Sequence, residues 1–265
     1  MPDNSAVKST ARVSLRNLWP QAIAVASILL AAVFIVAVIC SVNSLAFGTF
    51  AKYVNIAAVV LLFFTVLAPL ILGVLRWFWR ATAGKTDEVT SVFRYFGKDK
   101  YRRAFIFAFM YVTKNALIAG VSLLPFFAVT IASKLPFDII SVHSGELYLG
   151  LIGVLLGVLG TVVFLLLSTK YYIAPMIFVC CEDKHWTEVF YLSKRVAQYS
   201  SGAFLVLVAG MLGWMLLSFF GVTMIYTLPY MLAAFAVHCR YSFHYYNHNM
   251  NILQENGFSE YRSEF

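Results

Sequence analysis

Apolar positions along this chain come in long unbroken runs rather than in alternation. No charged side chain occurs from Asn17 to Ala51, from Tyr53 to Leu75, from Asn115 to Ser133, from Leu147 to Thr169, or from Val196 to Cys239. A bilayer core about 30 Å thick takes about 20 apolar helical residues, so each of the first four runs suffices for one crossing and the last must fold back on itself. Strand-like alternation of the kind that marks a membrane barrel is missing, and helices satisfy their own backbone polar groups in lipid. The expected fold is therefore all-α, a polytopic membrane helix bundle with six transmembrane helices plus two cytoplasmic amphipathic helices. The spans fall at about residues 21–42, 54–79, 104–131, 147–169, 202–220 and 223–246 of a single membrane domain. Residues 1–20 form a cytoplasmic N-terminus and 249–265 a cytoplasmic tail.

Two polar segments carry helical periodicity. In Asp87 to Phe96, Val89, Val92, Phe93 and Phe96 recur at helical spacing, with Thr86 or Asp87 as a cap. In Trp186 to Tyr199, Trp186, Val189, Phe190, Val196 and Ala197 share one face, while Glu188, Lys194, Arg195 and Gln198 lie elsewhere. Both segments suit the interface plane of a bilayer. They follow an internal echo, Leu67-Ala68-Pro69-Leu70-Ile71 before the first and Ile173-Ala174-Pro175-Met176-Ile177 before the second. A duplication of that kind is a parallel repeat about the membrane normal, although biased composition generates such echoes by chance.

Composition agrees with the pattern: 61% of residues are hydrophobic, 12% are charged, and the mean hydropathy is +0.80. A water-soluble domain of this length would expose that excess as apolar surface. The net charge of +8 sets the orientation. Of the 20 lysines and arginines, only Lys52, Lys114 and Lys134 fall outside the N-terminus, the second and fourth loops and the tail. Basic loops stay cytoplasmic, which places both termini inside. Lys8, Arg12 and Arg16 precede an apolar run too long for a cleaved signal peptide, so the first span is expected to be retained. Cys40, Cys180, Cys181 and Cys239 show neither zinc-site nor disulfide-framework spacing and read as small apolar fillers.

Candidate chemistry is sparse. Arg94, Lys98, Lys100, Arg102 and Arg103, interleaved with Tyr95, Phe96 and Tyr101, form a basic-aromatic patch against span three. With Lys194 and Arg195 they suit anionic headgroups or a membrane-protein partner, not nucleic acid. Lys114, beside Asn115, is a charge inside span three and requires compensation, either in an aqueous cavity or by snorkelling. Gly150, Gly153, Gly157 and Gly160 line one face of span four, which permits close helix packing within the monomer or in a homodimer, with Gly210 and Gly213 of span five as one match. His244 and His248 are four residues apart but lack a third ligand, so no metal is expected. No cofactor or enzyme motif is present: there is no phosphate-cradling glycine loop, metalloprotease histidine pair or nucleophile elbow.

Ala11-Arg12 with Leu15 and Trp19, Pro69 and Gly73 leading through Gly84 to Phe93 and Phe96, then Tyr172, Ala174, Pro175, Ser193, Gly213-Trp214 and Pro229-Tyr230 occur in a familiar order. In these residues the chain resembles a multi-pass membrane family of Gram-positive bacteria defined only as a domain of unknown function. That family is akin to the membrane domain attached to some glycerophosphoryl diester phosphodiesterases. The resemblance spans nearly the whole chain, is strongest from Tyr171 to Tyr241 and is weakest from Lys134 to Gly150, where an external loop is longer. It implies an integral membrane protein with paired cytoplasmic amphipathic helices, and it lends no catalytic residues.

The function expected from the sequence is that of a non-enzymatic scaffold, accessory protein or stress or peptide-tolerance factor of a bacterial cell membrane, seated on anionic lipid. The alternative is a small transporter or channel-like protein with a cavity near Lys114. A lipid-modifying enzyme ranks third, because no acid-base pair is recognisable.

Overall fold

The computed structural model describes residues 4–47, 51–132, 143–218, 221 and 223–255. Among them every regular element is helical: α1 (Asn4–Leu15), α2 (Trp19–Phe47), α3 (Ala51–Leu62), α4 (Ala68–Ala81), α5 (Lys98–Ala132), α6 (His143–Ser168), α7 (Ala174–Cys180), α8 (Trp186–Ala209), α9 (Leu212–Ser218) and α10 (Met224–Glu255). A π-helical turn, Phe63–Leu67, joins α3 to α4, and a 3₁₀ strap, Val89–Phe96, follows α4.

Among the described residues, four stretches are long and apolar enough to cross a membrane: Trp19–Asn43, Lys52–Ala81, Lys98–Ile131 and Leu151–Ser168. The pair α8 and α9, bent by 51°, makes a fifth when taken as one broken span. The protein is therefore a helical membrane protein. Its outward side chains fit that solvent, since Phe34, Ile35, Ile56, Leu61, Leu155 and Val158 are all exposed. Helix α10, which covers the expected sixth span, is long but less apolar, because His238, Arg240 and His244 interrupt its middle. It compensates by burying Tyr230, Ala233, Ala234, Ala236 and Val237 in protein.

The chain divides into two compact units, one made of Met1–Ala108 with Ile173–Phe265 and the other of Phe109–Tyr172. In the first unit, α10 packs on α1, α2, α4 and α8, while α4 packs on the strap and on α7. The N-terminal segment is ordered as α1, whose Val7, Ala11 and Leu15 recur every fourth residue and are fully covered. Lys8 of α1 donates its ammonium to the carbonyl of Gly210 at 2.9 Å, at the break between α8 and α9. Gly210 thus faces a lysine rather than a glycine seam.

The two amphipathic segments differ from their expected form. The first is the 3₁₀ strap, with Val92 and Tyr95 buried. The second is the leading part of the longer helix α8, and its Val189, Phe190, Leu192, Val196 and Ala197 are buried in protein. Both prolines of the echo open a helix, Pro69 in α4 and Pro175 in α7. Pro69 has no N–H to offer the carbonyl of Thr65 four residues back. The Tyr101 hydroxyl donates to that carbonyl instead, at 3.2 Å, so the π-helical turn keeps its backbone satisfied.

In the second unit, α6 lies against α5 through the glycine face. A methyl group on Gly160 would stand 2.5 Å from the Ser122 carbonyl oxygen, one on Gly157 would meet Phe126 at 3.1 Å, and one on Gly153 would meet Val129 at 3.8 Å. The side-chain surroundings of Gly150 lie outside the described residues. The opposite side of α6, including Leu151, Val154, Leu155, Val158 and Val162, is exposed.

Candidate functional site

The charged chemistry of the first unit gathers on one short turn. Between α7 and α8 the chain runs Cys181-Glu182-Asp183-Lys184-His185, and Arg103 of α5 holds it by donating to the carbonyls of Cys181 and Lys184, each at 3.0 Å. The Arg103 guanidinium also lies 4.6 Å from the Phe178 ring centroid, and Phe178 stacks on Phe107 with centroids 4.2 Å apart. A rigid aromatic base thus fixes where Glu182 points.

Glu182 binds three cations from three elements. Arg76 of α4 meets it at 3.0 Å, Arg94 of the strap at 3.1 Å and Lys100 of α5 at 3.0 Å. Burial pushes the Glu182 carboxyl up, but hydrogen bonds from Arg94 and Lys100 and the charge of Arg76 outweigh it and hold it at about 2, against an ordinary 4.5. The carboxylate is therefore charged at any physiological pH. Tyr95, fully covered beside this group, has its phenol pushed up by burial, with Glu182 adding to the effect, and stays neutral.

One glycine makes this geometry feasible. A methyl group on Gly73 would collide with the carbonyl oxygen of Val92, so only glycine lets the strap lie directly on α4. That contact brings Arg94 of the strap and Arg76 of α4 to the same carboxylate. The loop between them is pinned as well, with Trp77 donating its indole N–H to the Asp87 carbonyl at 3.1 Å and Arg80 paired with Asp87 at 2.7 Å. Gly84 supplies the turn out of α4 with φ +73°, a left-handed conformation.

A cavity of about 600 Å³ opens beside Glu182, lined by Arg76, Trp79, Arg80, Ala83, Lys85, Arg94, Val179, Cys180, Glu182, Asp183 and Arg240. Arg240 of α10 donates to the Trp79 carbonyl at 2.6 Å and lies over the Trp79 ring at 4.5 Å, which caps the C-terminal end of α4 with a positive charge. A second groove of about 390 Å³ runs past Asp99, Arg102, Arg103 and Trp186.

The basic residues singled out from the sequence thus divide in two. Arg94, Lys100 and Arg103 are bound to the turn around Glu182, whereas Lys98, Arg102 and Lys194 are exposed, and Arg195 lies 4.6 Å from the Tyr191 ring. Lys114 sits in the second unit with its ammonium 4.0 Å from the Tyr171 ring centroid, a cation–π contact, and Asn115 donates to the Tyr111 carbonyl at 2.9 Å. His244 and His248 are exposed on α10, and among the described residues no three of His, Cys, Asp and Glu converge as metal ligands.

Sequence reasoning did not single out Glu182, Arg76 or Arg240. Arg76 and Arg240 carried a usable signal, an arginine at the edge of an apolar run. Glu182 carried little, since Arg94 and Lys100 lie 88 and 82 residues away in the chain. No protein-family profile, curated protein or solved structure matches the chain.

Proposed function

We propose that this protein is a non-enzymatic scaffold or accessory protein of a bacterial cell membrane, seated on anionic lipid by its basic end, with both termini cytoplasmic. The observation that carries this reading is the division of the basic patch. Arg94, Lys100 and Arg103 brace the fold around Glu182, while Lys98 and Arg102 are exposed at the start of the apolar span Lys98–Ile131 and Lys194 is exposed on α8. A juxtamembrane cluster of this kind gains about 1 kcal/mol per residue from anionic headgroups. The stacking of Lys114 on Tyr171 gives that charge a partner within its own unit, which favours a scaffold over a transporter.

We propose, too, that the chain belongs to the multi-pass family it resembles. Residues that carry the resemblance sit at packing points: Gly73 under Val92, Pro69 beside the Tyr101 hydroxyl bond, and Ala174 and Ser193 fully buried. Affinity purification from native membranes tests the functional reading. Phosphatidylglycerol and cardiolipin should be enriched over zwitterionic lipid, and the triple change Lys98→Gln, Arg102→Gln and Lys194→Gln should remove most of that enrichment. Lipid recovered in bulk proportion by both forms would refute the seating.

A further inference from the structure

We infer that the cavity beside Glu182 is a binding site for a phosphate-bearing anion, the headgroup phosphate of an anionic lipid or free phosphate. The inference deepens the lipid-seating reading by assigning one lipid a defined place, and it rests on that reading for the choice of lipid. Arg76, Arg80, Lys85, Arg94 and Arg240 line the cavity, against the carboxylates of Glu182 and Asp183 alone. Glu182 is already shared by Arg76, Arg94 and Lys100, so one negative charge faces three positive ones. Arg80 is met by Asp87. The contacts of Arg240 are a neutral carbonyl and an aromatic ring, neither of which cancels its charge. The cavity is left with an excess of positive charge.

Donor geometry points the same way. A guanidinium offers five N–H donors in a planar fork suited to phosphate oxygens, and each arginine here uses only part of its set on protein acceptors. The Nε–H of Arg240 is buried without an acceptor, an arrangement native proteins rarely leave open. A phosphate oxygen supplies the missing partner.

Size and depth then favour the lipid. At about 600 Å³ the cavity lies within the range of small-ligand pockets and exceeds what a lone phosphate fills. Arg76, Trp79 and Arg80 sit in the closing turns of Lys52–Ala81, a stretch long and apolar enough to cross the membrane, which sets the cavity at headgroup level. Trp79 is an aromatic wall at that depth, where tryptophan is favoured.

Calorimetric titration of the full chain in a neutral detergent tests the assignment, with dihexanoyl phosphatidylglycerol, dihexanoyl phosphatidylcholine and inorganic phosphate as separate probes. Saturable one-to-one binding of the glycerol lipid is expected, with the choline lipid much weaker. Arg240→Gln should weaken it about tenfold, the loss of one charge-assisted hydrogen bond. Since Arg240 also caps α4, Lys85→Glu serves as the second variant: its side chain is exposed at the rim, and reversal of its charge should weaken binding without unfolding the protein. Arg16→Gln, exposed in the turn after α1 and outside the cavity, should leave the affinity unchanged. Inorganic phosphate binding as tightly as the glycerol lipid, with the same response to both variants, would support the anion site and identify free phosphate as its source. Absence of saturable binding by either anion, or binding insensitive to both Arg240→Gln and Lys85→Glu, would overturn the assignment. The purification experiment on Lys98, Arg102 and Lys194 fails independently, so a lost headgroup site and a lost lipid seating are told apart.

Discussion

The end of the first unit around Glu182 and the α5–α6 pair of the second unit are held together by opposite means. Around Glu182, directional bonds from Arg76, Arg94, Lys100 and Arg103 fix long polar side chains on one turn. In the α5–α6 pair, Gly153, Gly157 and Gly160 remove side chains so that two helices touch. Lipid offers no hydrophobic gain for bringing two apolar helices together, so association there depends on close packing. At the headgroup level water competes for every charge, and only a shared, preorganised network resists it. Gly73 belongs to both regimes, since a glycine contact at Val92 is what places Arg94 within reach of Glu182.

Breaking Gly73 should have the largest effect. Gly73→Ala puts a methyl group against backbone that cannot swing aside, and the loss should exceed the roughly 1–3 kcal/mol of ordinary overpacking. Thermal unfolding in detergent measures it, and the charged end should loosen while α5–α6 stays packed. Gly160→Leu should come next, at about 3 kcal/mol, by driving α6 off the Ser122 carbonyl. Cysteine crosslinking between Phe126 and Gly157 positions should then fail in that variant. Glu182→Gln should cost about 1–3 kcal/mol, because Arg76, Arg94 and Lys100 lose a common partner. Gly84→Ala, forcing an alanine into φ +73°, should cost about 1–2 kcal/mol in the same melting assay. Lys98→Gln should leave the melting temperature unchanged, since its side chain is exposed.

The four long apolar spans and the bent α8–α9 pair are legible because each depends on a property local in the chain, the length of an apolar run. Steps of three and four residues define a helix side, and Gly153, Gly157 and Gly160 share the side of α6 that meets α5. The periodicity of Trp186 to Tyr199 was legible too, but amphipathicity does not say whether an apolar face meets lipid or protein, and α8 buries that face in protein. Helix α1 is weakly encoded although Val7, Ala11 and Leu15 repeat every four residues, because three apolar positions among polar neighbours are a weak signal. The Glu182 cluster stayed hidden for a deeper reason: its members come from α4, the strap, α5 and the turn before α8, and no spacing in the sequence encodes that meeting.

Glu182 is the ionised hub of the basic end, and an acid titration of stability reads that role out. A carboxylate whose pKa falls on folding contributes stability in full above its unfolded value and loses it as pH drops through the folded one. With about 2 in the folded protein against 4.5, the advantage of wild type over Glu182→Gln should be complete near pH 6, shrink below about pH 4.5 and vanish near pH 2. Melting temperatures of the two proteins that run parallel across the whole range, or coincide at pH 6, would contradict it.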